Sequence, residues 1–269
     1  MSGSVRLITV VAASALIACT AEQEVTTIEI SEAPVEEVMD QSARAAAAVA
    51  APTRLEADLE DDESRKPAEV LAFVAVEPGI ALFEMEAGGG YYTELFSYLV
   101  GNDGSVVMQN PPSFDRFLGD ALEQRTGNDR LPNVRISRTN FDALDAEDAS
   151  VDMVTWFLGP HEVYFIPPGG ESLGDPEGSY EEIARILKPG GVFVALDHAA
   201  AAGAPSTTGG TLHRVDPQIV KGMAAGVGLA LIDESDVLSN PDDMHDMNVF
   251  DPMVRRKTDR FILKFAKPE

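Results

Sequence analysis

A single cysteine, Cys19, stands among the 269 residues, so no disulfide closes within the chain and no cysteine cluster is available to hold a metal. Basic residues are scarce: 20 Lys and Arg against 45 Asp and Glu give a formal net charge of −25. A field of that sign repels phosphates and anionic headgroups, which argues against nucleic acid as a partner. Its plainest use is solubility. Long apolar runs are missing as well, since the one near the start, Leu7 to Ile17, is too short to span a bilayer. What is there, 45% hydrophobic and 24% charged residues, suits one globular domain with a sizeable core.

The short apolar run follows Arg6 and ends in Leu16-Ile17-Ala18-Cys19. This resembles the lipobox of bacterial lipoproteins, which implies a signal peptide over residues 1–18 and Cys19 as the lipidated first residue of the mature chain. Thr20 in the next position implies the periplasmic side of the outer membrane. Acyl chains contribute about 0.8 kcal/mol per buried CH₂, so the membrane is a partner through this anchor only. The alternative is a plain signal peptide and a soluble periplasmic protein.

Residues 19–66 differ from the rest. Between Thr20 and Lys66 there are 13 acidic residues against 4 basic, an alanine-rich stretch and no aromatics. Such a composition offers little apolar surface to offset ordering entropy, so an acidic flexible tether is expected. From Pro67 to the end, residues 67–269, the pattern becomes regular. Pro67 suits the first position of a helix through Val76, and Glu77-Pro78-Gly79 a turn. Strand, glycine turn and helix follow in Ile80 to Met85, Ala87 to Gly90 and a segment with Tyr91, Leu95 and Leu99 on one face. Further strands are expected at Ser105 to Met108, Val134 to Ser137, Val151 to Leu158 and Val192 to Leu196. A helix over Ser179 to Leu187 precedes the last of these. Alternating strands and helices predict an α/β fold, a Rossmann-like doubly wound and mostly parallel sheet. Leu229 to Val237 and Phe261 to Phe265, with only loop between them, predict an antiparallel C-terminal pair.

Ligands of open α/β sheets bind beyond the carboxyl ends of the strands, where Glu84-Met85-Glu86-Ala87-Gly88-Gly89-Gly90 falls. Glycines there let the backbone turn sharply and a ligand approach. Asn110 lies 20 residues beyond Gly90, the place of a ribose-binding acid. Asn140-Phe141-Asp142 follows the third strand, and Leu187-Lys188-Pro189-Gly190-Gly191 leads into a fifth that ends in Asp197-His198. In this order the motifs resemble the class I S-adenosylmethionine-dependent methyltransferases over roughly Pro67 to Pro268. More narrowly, Gly88 to Thr93, Gln109 to Pro112, Asp197 to Ala200 and Leu212 to Arg214 look like a bacterial group of predicted methyltransferases. The resemblance implies that Glu84, Glu86, Gly88, Gly89 and Gly90 hold S-adenosylmethionine, Asn110 its ribose and Asp142 its adenine.

Two positions depart from that family. Glu86 replaces the first glycine and is expected to put a side chain and a charge in the path of the cofactor's methionine end. Asn110 replaces a carboxylate with an amide, a weaker acceptor. The histidines fall in predicted loops: His161 after strand four, His198 at the end of strand five, His213 beyond it, and His245 among acidic residues. Strand-end placement gathers the first three over one edge, where His161 or His198 would act as base, Asp197 as orienting acid and Arg214 as substrate clamp, with Glu162 nearby. No histidine pair has metal-ligand spacing, although a metal or hydrolytic site at the cluster stays open. Methyl transfer to a small or medium acceptor is the leading expectation. A binding lipoprotein that keeps the fold without turnover is its rival.

Overall fold

The computed structural model describes residues 35–167 and 169–269, with side chains from residue 41 onward. The expected signal peptide and Cys19 lie outside the described residues. The elements run in order α1 (Val35–Val49), α2 (Asp62–Arg65), α3 (Pro67–Val74), β1 (Ala81–Met85), α4 (Tyr91–Val100) and β2 (Ser105–Gln109). Next come α5 (Asp115–Leu118), α6 (Ala121–Thr126), β3 (Val134–Ser137), β4 (Val151–Phe157), α7 (Pro176–Ile186) and β5 (Leu187–His198). The last are α8 (Gly209–Leu212), α9 (Pro217–Gly226), β6 (Ala230–Ser235) and β7 (Arg260–Ala266). Helix starts follow local chemistry. Pro67 opens α3, while Asp175 and Asp216 cap α7 and α9 by accepting from the Gly178 and Gln218 amides at 2.9 Å each, with a proline next in both.

Seven strands form one sheet in the order β3-β2-β1-β4-β5-β7-β6. β1 to β5 are parallel, and β7 inserts antiparallel between β5 and β6. This is the predicted Rossmann-like sheet with its antiparallel C-terminal pair. Along β1 the side chains alternate: Phe83 and Met85 join a core with Trp156, Tyr180 and Phe193, whereas Leu82 joins Leu95, Phe96 and Val106 on the other face. Both faces are covered, as a parallel sheet requires. The order reverses between β1 and β4, which opens a crevice at their carboxyl ends.

The stretch expected to be a flexible tether is, from residue 41 onward, folded onto this body. α1 packs on α3 and α4 with Ala45 and Ala48 1% exposed, and Arg44 donates to the Val76 carbonyl at 2.8 Å. The buried Arg54 holds both Asp62 oxygens at 2.7 and 2.8 Å, and Asp62 accepts from the Tyr91 hydroxyl. Composition misled here for two physical reasons. Alanines pack closely without a large apolar payload, and the acids of 58–62 are one half of ion pairs whose other halves include Arg125, far along the chain.

Candidate active site

A cleft of ≈ 790 Å³ opens at the carboxyl ends of β1, β4 and β5. Its walls come from the glycine turn, the α5–α6 region, the loops after β4 and β5, and residues 55–65. At its root Glu84, the last residue but one of β1, is 3% exposed and accepts from the Thr93 hydroxyl at 2.5 Å. Burial pushes this carboxyl up to about 8 against the pull of Thr93 and Arg125. Beyond it Gly88 and Gly90 take φ of 57° and 83°. A Cβ on Gly90 would stand 2.8 Å from the Met108 methyl and 2.9 Å from the Arg125 stem, so glycine is required there twice over. Arg125 in turn donates to the Gly89 carbonyl at 2.9 Å and pairs with Asp58 and Glu94.

Residues at the end of β2 also act on this turn. Gln109 accepts from the Glu86 amide at 2.9 Å. Asn110, the expected ribose contact, accepts from the Gly88 amide at 2.8 Å, returns its own amide proton to the Gly88 carbonyl at 3.1 Å, and is 2% exposed. Its short side chain reaches the neighbouring strand's loop before it reaches a ligand, so it is a brace for the glycine turn. Asp142, the expected adenine contact, is also redirected: it is exposed, accepts from the Asp175 amide at 2.8 Å ahead of α7, and stands outside the cleft walls.

Glu86 keeps the left-handed backbone of the glycine it replaces, with φ 53°. The carboxyl, however, runs along the cleft floor to β4, where it accepts from the Trp156 indole at 3.0 Å. A Cβ on Gly159 would collide with both groups, which is why that residue lacks one. Burial and the nearby Glu162 carboxylate push the Glu86 carboxyl well above its usual range. The carboxyl expected in the cofactor's path is therefore turned toward β4 and its indole.

The three expected histidines do converge. His161 sits in the turn after β4, with its Nδ1 2.8 Å from one Asp197 oxygen and its amide 2.7 Å from the other. Its Nε2 lies 3.2 Å from His213 Nδ1 and 3.3 Å from Glu162 Oε1, and His213 Nδ1 is 3.1 Å from the same Glu162 oxygen. Burial opposes charge on His161, but Asp197 and Glu162 outweigh it and hold the imidazolium up to about 10. Burial likewise works against the Glu162 carboxylate, and the two histidines overcome it, bringing it down to about 2. His198 is the opposite case: burial and the cations around it hold it well below the usual histidine value, hence neutral, with Nδ1 2.7 Å from the Thr258 hydroxyl.

Arg214, expected to clamp substrate, is a structural staple instead. Fully buried, it grips Asp243 at 2.8 and 3.1 Å and the Ala199 and Met247 carbonyls at 2.9 Å each. His245, 3.0 Å from Asp259, is outside the cleft. Sequence reasoning missed Arg125 and Thr258, for which no local pattern exists. Glu162 had a visible signal, since it adjoins His161 in a strand-end loop.

The methyltransferase domain family matches residues 84–195, the glycine turn through β5. The ubiquinone/menaquinone biosynthesis C-methyltransferase of Hydrogenovibrio crunogenus is 30% identical over 128 residues, 45% of this chain and 43% of that protein. The chain thus spans less than half the length of this relative. Among solved structures, an S-adenosylmethionine-dependent methyltransferase from Aquifex aeolicus aligns with TM-score 0.53 and 16% identity over 77% of this chain and 97% of that one. The cyclase SpnF aligns with TM-score 0.53 and 16% identity over 76% of this chain and 82% of its own. These likenesses establish the fold, that of the class I methyltransferases, and SpnF shows that the fold also carries other chemistry.

Proposed function

We propose that this protein is an S-adenosylmethionine-dependent methyltransferase acting on a small apolar or aromatic acceptor. The observation that carries the reading is that the glycine turn and the histidine cluster, both within or beside the matched segment, open into one cleft. The fit with the cofactor is sound on two counts. Gly88 leaves open space where a Cβ would stand, and the cleft volume lies within the usual range of about 300–1,000 Å³ for ligand sites. When bound, the cofactor supplies a methyl group already activated on a sulfonium.

The residues around it have separable tasks. Gly88, Gly89 and Glu84 form the cofactor's seat, braced by Asn110, Gln109 and Arg125. Glu86, held against Trp156, adds a polar contact at the floor. Phe114, Phe157, Phe165 and Phe250 give the acceptor apolar walls and exclude water. His198, neutral at pH 7, takes the acceptor's proton, which Thr258 helps by holding the ring; the His161–Glu162–His213 group orients the acceptor. The same reading places the protein at the periplasmic face of the outer membrane through Cys19, on the strength of Leu16 to Cys19.

Calorimetric titration with S-adenosylmethionine is the test. Saturable binding is expected, and His198→Asn should leave that affinity within about threefold while lowering methyl transfer to a reactive phenol or thiol by 10²–10⁴. Absence of binding at millimolar cofactor would remove the reading and leave a ligand-binding protein of this fold.

A further inference from the structure

Beyond orienting an acceptor, His161, Glu162 and His213 offer a site of their own in the same cleft. Their three donor atoms form a nearly equilateral triangle with sides of 3.1, 3.2 and 3.3 Å. Ligands bound to one ion at tetrahedral angles with bonds of about 2.0–2.1 Å stand about 3.3 Å apart. The triangle therefore has the dimensions of one face of a coordination polyhedron.

Three further features agree with a cation there. Asp197 accepts at His161 Nδ1, which fixes the ring and aims Nε2 at the triangle, where an ion takes the place of the Nε2 proton, the carboxylate–histidine pairing that supports metal ligands. Glu162 is 8% exposed, and its Oε2 has no hydrogen-bond partner. A buried carboxylate oxygen left unpaired is costly unless a cation meets it. Finally, Glu162 and Asp197 converge on this spot, and among the described residues neither of them pairs with a lysine or arginine.

We propose that His161 Nε2, His213 Nδ1 and the Glu162 carboxylate bind one divalent first-row transition ion, with a position left open toward the cleft. Two imidazoles and one carboxylate suit such an ion, and three protein ligands with an open place are the arrangement of catalytic rather than structural zinc. The ion faces the same cavity as His198 and Glu86, so a hydroxyl or carbonyl of a bound molecule fits the open position, where the ion polarises it. The spacing in sequence concealed this set because two ligands are adjacent and the third follows 51 residues later in another loop.

Protein stripped with a chelator and titrated with Zn²⁺ alone tests the site without any methyl donor. One equivalent is expected to bind tightly, with Glu162→Gln and His213→Asn each weakening it at least tenfold. Asparagine is chosen because His213 has φ 54°, a conformation that residue tolerates. The control His245→Asn should bind as the parent does. Melting curves recorded alongside show which variants stay folded, and Co²⁺ on the unaltered protein gives a reading independent of them. Intense visible absorption of a four- or five-coordinate ion supports the site. A weak, water-like Co²⁺ spectrum, no stoichiometric Zn²⁺, or equal affinity in folded variants would each overturn it, the last by assigning binding to the acidic surface.

Discussion

The decisive events at the scale of single residues are turns of side chains toward unexpected partners. Glu86 was expected to project over the glycine turn and instead lies against Trp156. Replacing it with glycine relieves a left-handed backbone worth about 1–2 kcal/mol but orphans the buried indole, so the two effects oppose. Glu84 gives a cleaner experiment. Its carboxyl ionises at about 8 in the folded chain against 4.5 as its ordinary value. An acid raised in this way binds its proton more tightly when folded, so its stabilising share is complete below the ordinary value and is lost as pH rises toward 8. Within that window the folded protein loses about 1.4 kcal/mol per pH unit from this group alone. Glu84→Gln keeps an acceptor for Thr93 and removes the titration. Its melting temperature relative to the parent should climb between pH 4.5 and pH 8, and parallel curves for the two proteins would refute the assignment.

Among elements, the segment from α1 to α2 is the one whose role changed most between sequence and structure. It forms a strap over the cleft, bound through Arg54–Asp62, Asp62–Tyr91 and Asp58–Arg125. Limited trypsin digestion should therefore spare Arg54 and Arg65. Arg54→Ala, which strips Asp62 of its bidentate partner, should open this stretch to cleavage and cost roughly 2 kcal/mol, about 5 °C of melting temperature. Unaltered sensitivity would mean the strap is held by α1 packing alone. The core strands were legible because apolar runs between turn signals carry a length and a period of their own, and the five parallel strands and the closing pair appear where those runs are. The glycine turn and the strand-end histidines were legible for a related reason, since topology dictates where loops gather. Arg125 and Arg214 were not. Each meets its acid across a fold, 67 residues away for Asp58 and 29 for Asp243, and no linear spacing encodes which way a side chain turns. For Asn110 the strand-end position was legible and its contact with Gly88 was not, because a brace and a ligand contact ask for the same residue at the same strand end.

The whole molecule carries a net charge of −25, which disfavours attraction to an anionic bilayer, so under the proposed lipoprotein reading attachment would rest on acylation at Cys19. Cys19→Ser should move the protein from the outer-membrane fraction to the soluble periplasm. Retention of the altered protein with membranes, or a cytoplasmic location for both, would refute the lipoprotein reading. The chain also contains one tryptophan, and the fold has placed it, fully buried, in hydrogen-bond contact with the floor of the cleft. The protein thus carries its own optical reporter: ultraviolet emission from this single indole comes from one spot, with no other indole to dilute it. A ligand that draws Glu86 away, or a paramagnetic ion settling beside Glu162, will register in the intensity of that light before any product is made.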